Sequence, residues 1–183
     1  MKKIYLFTLT LLLTITCTAQ KNKLQTVKDF YKASNEYSFE KLLTLTHDTV
    51  TIIDGDYNME YNRQAYYKVF QWDSVFAPHY HIVMNKVAGS DVFVKISTKS
   101  KRFKFLGNNP LVTTHRISFN NNKISQIELI EYVGADFNVW VSKRDELVNW
   151  TEKNHPELNG FIHDMTKIGG ENYLEAIEYF NNK

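Results

Sequence analysis

Any chemistry this chain performs falls to histidines, carboxylates and tyrosines, because its one cysteine, Cys17, stands inside an N-terminal export pattern. His79 and His81 are two residues apart, so on an extended strand both face the same way. His115 shares a strand face with Ile117 and Phe119, which places an imidazole on an apolar surface. One such ring near a carboxylate is a candidate general base. Three converging imidazoles would suit zinc with an open fourth position. The plainer reading is a hydrogen-bonded core His115 and a His79 that borders the turn at Pro78, and no metal or other cofactor is expected.

The acidic candidates are Asp54, Asp73, Glu128 and Glu131. Asp73 interrupts an apolar helix face, where a carboxylate is costly without a partner. At the edge of that face it would instead reach water. Glu128 and Glu131 are three apart, so strict alternation sends only one of them to any one face of the strand. Ile127 and Leu129 favour Glu131 as the inward residue, Ile130 and Tyr132 favour Glu128, and the register stays open.

Tyr57, Tyr61, Tyr66, Tyr67, Trp72 and Tyr80 add rings with polar tips near the same segments. Such side chains build mostly apolar pockets with a few oriented donors, and core packing accounts for many of them as well. The expected catalytic set is His115 as base, Asp73 or Asp54 as its orienter, and a tyrosine as oxyanion donor. The expected ligand-binding set is Tyr57, Tyr66, Trp72, His79, His81, Glu128 and Glu131. Phosphate-cradling glycine loops, nucleophile elbows, zincin motifs, EF-hands and dinucleotide fingerprints are absent from the sequence.

These residues need elements to hold them. Leu24, Val27, Phe30 and Tyr31 recur at helical spacing, and Ser38 is placed to cap a short second helix through Leu42, Leu43 and Leu45. Thr49 to Asp54 reads as a strand closed by Asp54-Gly55-Asp56. Asn62 caps a third helix, Arg63 to Phe76, which Pro78 ends. Five strands follow: Tyr80 to Val87, Asp91 to Thr98, Arg102 to Phe105, Leu111 to Phe119 and Lys123 to Val133. Short turns between them imply an antiparallel meander. In the tail, Ser142 and Asp145 suggest a capping box, Pro156 starts a helix carrying Leu158, Phe161, Ile162, Met165 and Ile168, and Gly169-Gly170 breaks it before a last helix.

The N-terminus shows Lys2 and Lys3, an apolar run from Ile4 to Ile15 and small residues up to Ala19, the three-part pattern of a secretory signal. Cleavage after Ala19 is expected, so that an exported, periplasmic or secreted domain begins at Gln20. The rival is lipidation of Cys17, the one reading that involves a membrane. Thr14, Ile15 and Thr16 stand where a lipoprotein signal usually has Leu and small residues. Lys2 and Lys3 account for the whole formal charge of +2, so the remainder is neutral and shows no basic stripe for nucleic acid. The expected division is 1–19 signal, 20–136 main domain and 137–183 helical extension packed on that same domain.

The order of elements from Leu24 to Tyr132 resembles the NTF2-like superfamily, which includes SnoaL-like cyclases and ketosteroid isomerase. Three segments carry the resemblance: Leu42-Leu43-Thr44-Leu45-Thr46-His47-Asp48-Thr49-Val50, the helix from Asn62 to Phe76, and Asn122-Lys123-Ile124, which matches a frequent Gly-Lys-Ile strand opening with Asn for Gly. The tail Asn149-Trp150 with Asn154-His155-Pro156-Glu157-Leu158 looks like an extension of exported bacterial members. The resemblance implies an α+β cone, a curved antiparallel sheet packed against N-terminal helices around a pocket, often in a homodimer, here expected through the sheet. It implies no single function. Three remain open: an exported domain binding a small apolar or amphipathic molecule, a cofactor-free isomerase, dehydratase or cyclase using a His–Asp/Glu pair, and a protein-interaction module.

Overall fold

The computed structural model describes residues 22–183, so the expected export signal, Cys17 and the expected new terminus at Gln20 lie outside the described residues. Helix α1 covers residues 22–35 and buries Val27, Phe30, Tyr31 and Ala33, the stripe that its periodicity marks. It ends in a Schellman turn: the Ser38 amide donates to the Ala33 carbonyl and that of Tyr37 to Ser34. Tyr37 takes the left-handed conformation, φ 52°, that this turn usually gives to glycine.

Helix α2, Phe39–Leu45, leads into strand β1, Thr46–Asp54. A two-residue turn at Gly55, φ 58°, then returns the chain as β2, Tyr57–Asn62. The sequence reading passes over β2, although Tyr57, Met59 and Tyr61 alternate with Asn58, Glu60 and Asn62; the edge strand is exposed along nearly its whole length, so this alternation does not mark a buried face. Helix α3, Arg63–Ser74, starts at Asn62, whose side chain accepts the Ala65 amide hydrogen at 2.9 Å. Strands β3 (His79–Ala88), β4 (Asp91–Lys99), β5 (Leu111–Asn120) and β6 (Lys123–Tyr132) complete a curved, unclosed six-stranded sheet of order β2-β1-β6-β5-β4-β3.

The α+β class holds, with a mixed sheet in place of a purely antiparallel one: β1 runs parallel to β6, and all other pairs are antiparallel. Short turns dictate direction only between consecutive strands, and β1 and β6 are far apart in sequence. On the inner face Val92, Val94, Ile96, Ile117 and Ile124 pack against Val27, Phe30 and Leu42. Register shifts between β3 and β4 and between β5 and β6 bend the sheet around this core.

Three sequence expectations are corrected. The segment Arg102 to Phe105 is helical, α4 (Lys101–Phe105), capped by Ser100, whose hydroxyl oxygen accepts the Phe103 amide hydrogen at 3.0 Å. That turn carries Arg102 among the rings of Trp72, Phe76, Phe103 and Trp140, contacts that periodicity does not reveal. Helix α5, Phe137–Asn154, starts at Asp136, whose carboxylate accepts the Val139 amide hydrogen, so Ser142 lies inside the helix. The stretch after Pro156 is only a 3-10 turn, Pro156–Leu158, and Gly169-Gly170 fall within α6, Lys167–Asn181, instead of breaking a helix. Their role is contact: a Cβ on Gly170 would stand 3.0 Å from the Trp72 carbonyl oxygen, and one on Gly169 would collide with the Asp164 main chain. Helices α5 and α6 thus close on the far side of α3, burying Trp72, Phe76, Leu147, Phe161, Tyr173 and Ile177 in a second cluster.

Candidate functional site

A cavity of about 220 Å³ lies between α1, α3 and the inner face of the sheet. Helix α1 supplies Phe30 and Tyr31, α3 supplies Tyr66, Val69, Phe70, Trp72 and Asp73, and the strands supply Ile52, Tyr80, His115 and Ile127. Tyr37 and Pro78 form part of its lining, tied together by the Tyr37 hydroxyl, which donates to the Pro78 carbonyl at 3.0 Å. A second depression, of about 370 Å³, on the outer sheet face at Met84, Phe93, Lys95 and Thr114, contains neither histidine nor carboxylate.

Two polar pairs interrupt the apolar lining. Tyr31 Oη stands 3.0 Å from His115 Nδ1, and the Tyr80 hydroxyl donates to Asp73 Oδ2 at 2.7 Å. Burial holds the His115 imidazole down to a pKa of about 4, against a smaller opposing pull from Asp54, so the ring is neutral at pH 7. Burial also pushes the hydroxyls of Tyr31, Tyr66 and Tyr80 well above the usual range, and the Asp73 charge reinforces this at Tyr66 and Tyr80. All three therefore stay protonated hydrogen-bond donors.

Of the residues singled out by sequence, His115, Asp73, Tyr66, Trp72 and Tyr80 meet in this cavity. Asp54 stands beside it. It points inward two strands from His115, across Leu129, and accepts the Tyr132 hydroxyl hydrogen at 2.7 Å. The expected histidine–carboxylate bond is not formed, and each partner is capped by a tyrosine. Tyr57 is 53% exposed on β2, its hydroxyl 3.2 Å from that of Tyr61. His79 and His81 share a face, but Tyr80 and Ile82 take the inward positions of β3, so both histidines are exposed. The three imidazoles do not converge, and among the described residues no three His, Cys, Asp or Glu form a metal-binding group.

The register of Glu128 and Glu131 is now decided. Arg116 pairs with Glu128 and Thr114 with Glu131, and cross-strand partners share a face. A bulge at Ile130 breaks the alternation, so both glutamates lie on the outer face, where Arg116 ion-pairs with Glu128. The residue that sequence reasoning missed is Tyr31. Its signal was present, a ring with a polar tip on the buried stripe of α1, which can occupy a core position only if the hydroxyl finds a partner.

No protein-family model and no curated protein matches the chain. Solved structures do. A candidate polyketide cyclase from Sinorhizobium meliloti superposes with TM-score 0.51 at 13% identity, covering 58% of this chain and 94% of its own. A candidate ketosteroid isomerase from Kribbella flavida gives 0.51 at 12%, covering 63% and 83%. IdmH, a candidate polyketide cyclase from Streptomyces antibioticus, gives 0.51 at 15%, covering 67% and 98%. At such identities the likeness concerns the fold, and the activities named differ among these proteins.

Proposed function

The chain has the NTF2-like fold, and we propose that its inner cavity binds a compact, largely apolar molecule bearing a polar group. The observation that carries this reading is the pair of tyrosine-capped groups, His115 and Asp73, in one otherwise apolar space. Apolar walls supply the driving force and a few fixed polar atoms supply orientation. The size, about 220 Å³, is that of a small-molecule site. The same proposal puts the activity outside the cytoplasm, a reading supported by the export pattern over residues 1–19.

Screening one- and two-ring fragments by saturation-transfer NMR tests it. Hits are expected with the unaltered protein and should vanish in Val69→Phe, which fills the cavity. Hits that survive the substitution would move the site elsewhere, and a protein that binds none would sink the reading.

One arrangement favours a second reading, proton transfer on a bound carbonyl compound. The Asp73 carboxylate shares the cavity with tyrosine hydroxyls that stay protonated, so Asp73 would take the proton and a hydroxyl would donate to the developing oxyanion. His115, held neutral and weakly basic, serves this as a positioned polar group and not as the base. Asp73→Asn would then abolish turnover while fragment binding persists.

A further inference from the structure

The cavity holds one carboxylate with nothing described to neutralise it. Asp73 takes a hydrogen bond from Tyr80, but among the described residues it ion-pairs with no lysine, arginine or histidine. The other ionisable groups in the lining are uncharged at pH 7: His115 is neutral, and the hydroxyls of Tyr31, Tyr66 and Tyr80 remain protonated. Asp73 is the one carboxylate in this lining, so a ligand of opposite charge that reaches it gains an attraction that a neutral ligand lacks.

The surrounding rings point to the same complement. Tyr31, Tyr37, Tyr66, Phe70, Trp72 and Tyr80 line the space that Asp73 faces. The face of an aromatic ring carries partial negative charge and attracts a cation brought close to it. Carboxylate and rings together favour a positive ligand, leave a neutral one with the charge unmatched, and repel an anion.

We propose that the ligand is a small organic cation, an amine in its ammonium form or a quaternary ammonium, with its charge against Asp73 and its apolar body along Phe30, Leu42 and Ile127. This rests on the reading that the inner cavity is the binding site, and it names the chemical class that site accepts.

The test uses one frame in three charge states, benzylammonium, benzyl alcohol and benzoate, together with choline and its neutral carbon isostere 3,3-dimethylbutan-1-ol. Affinities are measured by calorimetry at pH 7. At least one cation should bind at least about tenfold more tightly than its neutral counterpart, the loss expected when one charge contact is removed. Benzoate should not bind. Asp73→Asn should bring cation and alcohol together, and Val69→Phe should abolish binding of both. Should Asp73→Asn fail to fold, as circular dichroism would show, the three charge states on the unaltered protein decide between the outcomes alone.

Alcohol or benzoate binding as tightly as the amine overturns the cation inference and leaves the cavity reading standing. Cation binding that persists in Val69→Phe overturns both, since the site would then lie elsewhere. Fragment hits that Val69→Phe removes, with no cation among them, overturn the cation inference alone.

Discussion

At neutral pH the part-buried imidazole of His115 is uncharged and held by Tyr31, which ties the stability of the fold to pH. Its folded pKa, about 4, lies below the ordinary 6.5. Above pH 6.5 neither state binds the proton, and the folded state keeps its full advantage. Between 6.5 and 4 the unfolded chain takes up a proton that the folded chain refuses, so stability falls as pH falls. Below 4 both states are protonated and this contribution is spent. The loss across that window is about 3 kcal/mol. Urea midpoints at pH 7 and pH 4 should therefore separate by less in His115→Gln than in the unaltered protein, and equal separations would refute the assignment. Tyr31→Phe leaves His115 Nδ1 without its hydrogen-bond partner and should cost about 1–3 kcal/mol at pH 7, read from the same midpoints.

Among the elements, α6 depends most on the absence of side chains. Gly169 follows the Thr166 cap, whose hydroxyl oxygen accepts the Gly169 amide hydrogen at 3.2 Å, and its Cα faces the main chain of Asp164. Alanine improves helix propensity by up to about 1 kcal/mol in open surroundings. Here its methyl group meets backbone that cannot rotate away, so Gly169→Ala should lower stability by about 1–3 kcal/mol by denaturant unfolding. A stabilised variant would mean that the turn before α6 yields easily. The same pair of glycines shows why a sequence reading errs there. Gly-Gly signals a break in an isolated helix, and close approach of another chain segment is invisible to local propensity.

For the whole molecule, the helical tail and the cavity meet at α3. Trp72 lines the cavity and also packs in the second cluster, its ring 5.0 Å from Phe76, which meets Tyr173 of α6 at 5.4 Å. Arg102 stacks on the same Trp72 ring at 4.7 Å. Removing the Tyr173 ring should cost about 3–5 kcal/mol and should also loosen the wall of the cavity. Tyr173→Ala is therefore expected to lower the unfolding midpoint and weaken fragment binding together. A stability loss with unchanged binding would show that the tail supports the fold without supporting the site.

Features that depend on neighbours along the chain were legible from the residues alone. The buried stripe of α1, the Asn62 cap, the alternation Val92-Val94-Ile96 and the turns joining β3 to β4 and β5 to β6 all follow from period and turn chemistry over a few residues. So does the presence of Asp73 on an otherwise apolar face. The parallel pairing of β1 with β6, the bulge at Ile130 that turned both glutamates outward, and the tyrosine partners of His115 and Asp73 emerged only from packing in three dimensions. Those outcomes join residues many positions apart, and counting by two or by 3.6 carries no information across such gaps. The histidine that sequence singled out for base chemistry is therefore in the predicted place with a different partner, and its burial beside that partner makes it a neutral polar wall of the cavity.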